Sequence, residues 1–95
     1  MFVVLLKFAA NKGQAGQHME GHKDWLKRGF DEGVFLLAGS LQPNAGGGIL
    51  AQAASLAAIQ DRVNADPFVV HGVVSADILE ITPSRTDGRL KFLQE

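Results

Sequence analysis

The sequence predicts an α+β fold with the element order β-α-β-β-α-β. Three observations carry that expectation. Apolar and β-branched residues run in short bursts over 2–8 and 34–41, lengths that suit strands better than helices. Between these bursts Met19, His22, Leu26, Gly29 and Phe30 recur at helical spacing, as one stripe of an amphipathic helix does. Breakers then separate the segments, with Gly33, the Pro43-Asn44 pair and Pro67 each falling where one element must stop.

Taken in order, residues 2–8 form strand one, closed by the loop Ala10-Asn11-Lys12-Gly13. The opening MFVVLLKFAA lacks a basic leader, is interrupted by Lys7 and meets no cleavage site, so a strand is expected there and not a signal peptide. A helix follows over 18–32, with Asp24 and Arg28 as an i,i+4 pair on its wet side. Trp25 lies beside the apolar stripe and is read as a packing residue. Gly33 ends the helix, and 34–41 form strand two. Gln42 to Gly46 is a turn, and 47–53 are strand three, weakened by glycine. Ser55 caps a second helix, whose Leu56, Ile59 and Val63 share a face and which runs until Pro67. Proline pushes its predecessor out of the helical region, so Asp66 marks a helix end. Strand four spans 71–82. Residues 1–95 read as one domain, with 84–95 as a C-terminal tail.

This order is that of the split βαβ, or ferredoxin-like, fold with a four-stranded antiparallel sheet. Two helices shield one side of such a sheet. Yet Val3 and Leu5 are as apolar as Phe2, Val4 and Leu6, and strand two is apolar at nearly every position, so both sides want to be dry. A second copy of the same sheet is the economical cover, which predicts a homodimer. The competing cover is the tail alone.

Nine basic and ten acidic residues leave a net charge of −1 without a basic patch. That disfavours nucleic acid and an anionic membrane surface as partners. The chain has no cysteine, which removes disulfides and thiolate metal sites and fits a reducing compartment. A cytoplasmic location is expected.

In this topology one end of the molecule collects the loop before the first helix, that helix's early turns, the end of strand two, and the junction after the second helix. Lys12, His18, His22, Ser40, Asp66 and His71 all belong to that end. A carboxylate on one imidazole nitrogen fixes the tautomer and leaves the other nitrogen free to move protons. His22 and Asp66 are the candidate pair. Their plain structural roles, a hydrogen-bonded core histidine and a helix cap, compete with this one.

Other constellations are weaker. His18 and His22 stand four apart but lack an evident third ligand, so no metal is expected. Gly46-Gly47-Gly48 enters a strand and lacks the lysine and hydroxyl of a phosphate loop. Ser40 has no nucleophile elbow around it and reads as a hydroxyl lining a site. Strand three carries no aromatic residue, against an RNA-recognition module.

The stretch HKDWLKRGFDEGVFLLAGSLQP, followed by a glycine-bearing strand, a short helix and DPFVVHGVVSADILEITP, resembles the YciI-like, or YCII-related, family over about residues 2–83. The motifs are His22 with Leu26, then Leu37, Gly39 and Leu41, then Asp66-Pro67-Phe68. The resemblance implies a dimeric ferredoxin-like α+β barrel with a site around a His-Asp pair, here His22 and Asp66. Ser40 departs from the proline often found after the glycine, which makes that edge of the pocket more polar. The expected function is acid-base chemistry, by proton transfer, elimination or isomerisation, on a small organic acid or carbonyl compound. It uses no cofactor, and Ser40, Lys12 and His71 would bind the substrate. The alternatives are a noncatalytic ligand-binding or regulatory module, and a cofactor-free oxygenase or stress protein of the wider barrel class.

Overall fold

A computed structural model of the chain describes residues 1–94. Strand β1 (Phe2–Phe8) alternates in burial, with Phe2, Val4 and Leu6 buried on one face and Val3 and Leu5, equally apolar, half-buried on the other. A 3₁₀ turn at Lys12–Gln14 leads into helix α1 (Ala15–Asp31). Gly33 terminates α1 with φ of 75°, its amide and that of Val34 returning to the carbonyls of Phe30 and Gly29. Strands β2 (Phe35–Leu41) and β3 (Gly46–Ala51) form a hairpin. Helix α2 (Leu56–Asn64) starts where the Ser55 hydroxyl accepts from the amide of Ala58, 3.1 Å. A one-turn helix α3 (Pro67–Val70) precedes β4 (Val74–Glu80).

The sheet is antiparallel throughout in the order β2-β3-β1-β4, the ferredoxin-like arrangement. The helices lie on one face. There Phe2, Val4, Leu6, Phe35 and Ile49 meet Trp25 of α1, Ile59 and Val63 of α2 and Phe68 of α3, each such side chain worth roughly 1.5–3 kcal/mol on burial. The Trp25 indole NH donates to the carbonyl of Arg62, 2.8 Å, and the Arg62 guanidinium reaches Glu32, 2.8 Å. These bonds tie the middle and the C-cap of α1 to the last turn of α2. No helix among the described residues is long and apolar enough to cross a membrane.

Register places Leu37, Leu50, Val3 and Leu79 in one row across all four strands on the opposite face. Leu37 and Leu79 are 55% and 53% exposed. The tail folds as 3₁₀ turns over Gly88–Gln94 and buries Leu93, while in this row Val3 and Leu50 are half-buried and Leu37 and Leu79 stay exposed.

The structure corrects several expectations of detail. Helix α1 begins at Ala15, three residues before the expected start at 18, and its buried centre is Trp25 and Gly29, while Met19 and Phe30 sit at the margins. A methyl at Gly29 would overlap the Phe35 ring, so the closest approach of α1 to the sheet falls there and turns the indole inward. The ion pair on α1 is Lys27 with Asp31, 2.7 Å, instead of Asp24 with Arg28. Leu56 is exposed, leaving Ile59 and Val63 as the buried face of α2. The segment after Asp66 is helical before it is extended, and β4 begins at Val74 instead of residue 71.

Candidate functional site

Asp66 ends one element and starts the next. Its backbone is extended, φ −64° and ψ 122°, as a residue before proline prefers, and Pro67 supplies a preset first helical residue that needs no amide partner. The carboxylate oxygen Oδ1 accepts from the Phe68 amide, 3.0 Å. The same oxygen takes the Nδ1–H of His22 at 2.8 Å, from forty-four residues earlier in the chain. Asp66 is fully buried, and its Oδ2 has no partner among the described residues. Burying a carboxylate is costly unless hydrogen bonds replace its water, so these two bonds are what make the position tenable.

His22 is held on two sides. Phe68 stacks on its ring, centroids 4.0 Å apart and planes 5° from parallel, and Asp66 occupies Nδ1. A proton on Nδ1 leaves Nε2 of the neutral ring with a lone pair. Nε2 is the atom this arrangement leaves for chemistry.

His22 lines a cavity of about 390 Å³ between α1 and the sheet. Ala15, Met19, His22, Lys23 and Leu26 come from α1, and Leu6, Phe8, Ala38, Ser40, Gly47 and Ile49 from the strands, with Phe68 closing one end. The walls are mainly apolar, with His22, Lys23 and Ser40 as the polar side chains. Such a cavity falls at the small end of ligand pockets, about 300–1,000 Å³. Ala38, Gly39 and Ser40 stay exposed, so the hollow opens along the β2 edge.

The structure thus brings together His22, Asp66 and Ser40. It separates two other candidates from them. His71 is exposed and stacks on His18, centroids 3.9 Å apart, while its carbonyl accepts from the Asn11 amide, 2.9 Å. Lys12 stands outside the cavity wall with its ammonium 4.4 Å from the centre of the Phe8 ring, and Phe8 is itself a wall residue. Lys23 and Phe68 are site residues that sequence reasoning missed. Phe68 stood in the Asp-Pro-Phe motif, but Lys23 adjoins His22 on a helix, where neighbours point about 100° apart, and no spacing argument places both on one hollow. Among the described residues no three histidine, aspartate or glutamate side chains are grouped as metal ligands.

A ferredoxin-like α+β domain with a histidine-lined hollow between its first helix and its sheet is the class that fold and site define. The chain belongs to the YCII-related domain family, which matches residues 1–82. Among solved structures, it is similar to the 5-chloro-2-hydroxyhydroquinone dehydrochlorinase of Burkholderia phenoliruptrix AC1100, in complex with 2,5-dihydroxybenzoquinone. That match has a TM-score of 0.69 and 13% identity and covers 85% of this chain and 93% of the other. At that identity the likeness is one of fold. No curated protein matches the chain.

Proposed function

We propose that the protein is an acid-base enzyme for a small organic acid or carbonyl compound, in which Nε2 of His22 accepts and returns a proton and Asp66 positions the ring. One observation carries this reading: a fully buried carboxylate bonded at 2.8 Å to the Nδ1 of a histidine whose other side lines an apolar cavity. An imidazole is the side chain whose charge changes near neutral pH. A positioned group of this kind contributes about 10²–10⁴ to a rate. Ser40 and Lys23 are the polar groups left to hold a substrate's oxygen atoms. The similar dehydrochlorinase, by its name and its bound quinone, makes hydroxylated and halogenated rings the first compounds to try.

The reading includes a partner. A second copy covers the row of Leu37, Leu50, Val3 and Leu79, because an apolar row crossing a whole sheet is costly to leave in water and two-fold pairing is the commonest way a chain meets itself.

The test is a panel of halogenated and unsaturated acids, phenols and quinones assayed with the wild-type protein and with His22→Gln, which keeps an amide donor toward Asp66. Wild-type protein is expected to convert at least one compound, and His22→Gln to lose about 10²–10⁴ of that rate. Ligand affinity that depends on His22 without any conversion would instead favour a noncatalytic binding module.

A further inference from the structure

Three consecutive glycines begin β3, and the structure gives each a different reason. Gly46 has φ of 128°, and a side chain there would overlap the carbonyl oxygen of Leu6, so the hairpin exit itself demands it. Gly48 pairs with Leu5 and Gly39 on the uncovered face, where the Leu41 side chain leans over it, 3.2 Å from the point a β-carbon would occupy. Gly47 has neither constraint. Its φ is ordinary, and a β-carbon would meet only the Gly39 carbonyl oxygen, at a comfortable 3.6 Å.

Register shows what the missing side chain does. Gly47 pairs with Leu6 on one side and Ser40 on the other, and directly opposed residues of an antiparallel sheet share a face. Leu6 and Ser40 both line the cavity, so a side chain at 47 would rise between them into the space that His22 overlooks. Its absence leaves a floor of bare extended backbone. Met19 and Leu26 form the opposite wall, and methionine adapts its shape readily. A flat floor under an apolar roof suits a planar ring. The volume, about 390 Å³, exceeds the roughly 150 Å³ that accepts benzene.

We propose that Gly47 is the specificity-determining position of this cavity: the space its absent side chain leaves between Leu6 and Ser40 belongs to the ligand, a planar and largely apolar ring, and residue 47 sets how large that ring can be. The inference rests on the function proposed above and adds a substrate class and a size limit to it. It needs nothing from backbone strain, because the φ at this position is not positive and a β-carbon meets no close contact there.

The experiment titrates phenol and 2-naphthol into the wild-type protein, Gly47→Ala and Gly47→Val by calorimetry, with the His22 ring signals followed by NMR. Wild-type protein is expected to bind both rings and to show a shift at His22. Gly47→Ala should weaken 2-naphthol by about tenfold or more, the scale on which a pocket senses one carbon, while phenol changes little. Gly47→Val should exclude both. Unaltered affinities in both variants, or equal loss of the two rings in Gly47→Ala, would overturn the assignment while leaving the His22 chemistry intact. Failure of wild-type protein to take either ring also overturns it, and His22-dependent turnover of an open-chain acid would then show that the parent reading survives alone. Should Gly47→Val fold poorly, the alanine variant decides the matter.

Discussion

His22 and Phe68 are bound to the same atom: the imidazole Nδ1–H and the Phe68 amide both donate to Oδ1 of Asp66, at 2.8 and 3.0 Å, while the two rings stack face to face. One carboxylate oxygen therefore couples the helix turn to the orientation of the histidine.

Replacing that residue separates the two roles. Asp66→Ala removes the cap, at about 0.5–2 kcal/mol, and strands a partly buried imidazole donor, at roughly 1–3 kcal/mol. Asp66→Asn keeps an acceptor oxygen, so chemical denaturation is expected to show a distinctly smaller loss for it than for alanine. The His22 ring signals should report a mixture of tautomers in the alanine variant. Equal losses for the two substitutions would contradict the shared-oxygen arrangement.

Two glycines on α1 should respond with opposite signs. A methyl at Gly29 overlaps the Phe35 ring, and overpacking of that kind costs about 1–3 kcal/mol, more than the roughly 0.5–1 kcal/mol that alanine gains over glycine within a helix. Gly16 meets nothing within 4 Å, so Gly16→Ala should stabilise slightly. Thermal unfolding of the two variants beside the wild type checks both signs.

The hydrogen bond and charge of the Arg62 guanidinium hold the Glu32 carboxyl below the usual glutamate range. A carboxyl lowered on folding contributes stability that is present above its unfolded value and is lost as the pH falls through the folded one. Glu32→Gln should therefore unfold at a slightly lower temperature than wild type at pH 7, and the gap should close as the solution is acidified past the carboxylate range. The effect is small because the Glu32 carboxylate is exposed to solvent. A gap that persists at low pH would assign the loss to packing.

The apolar row on the sheet is tested by charge. Leu37→Glu combined with Leu79→Glu places two carboxylates on the face proposed to meet a second copy, and these residues contribute nothing to the helix-side core. Sedimentation of the wild-type protein should give twice the 10.2 kDa chain mass, and the double variant should sediment as a monomer with an unchanged circular dichroism spectrum. A monomeric wild type at high concentration would contradict the pairing.

Element order was legible because hydrophobic runs and their breakers coincide. β1 is readable to the residue, since its apolar run starts and stops where the strand does. The start of α1 was not, because Ala15, Gly16 and Gln17 carry no apolar signal and Gln14 precedes them without a side-chain cap bond. Pro67 misled for a physical reason: the residue that forbids continuing one helix is well suited to begin another, and only the turn of chain after Asp66 decides between stopping and restarting. The meeting of His22 with Asp66 was readable from topology, which brings element ends together. Topology does not say which way each side chain turns there, and so it could not foresee that His71 would lie on His18 or that Lys23 would border the hollow where Lys12 does not.

The chain has one tryptophan and no tyrosine, and the indole of Trp25 lies 5.7 Å from the imidazole of His22. Indole emission from the unlabelled protein thus arises at a single spot beside the candidate dyad, where a ligand against His22 would change the surroundings of the excited ring. The molecule carries its own optical gauge, and a fluorimeter can follow occupancy of the hollow before any substrate has been named.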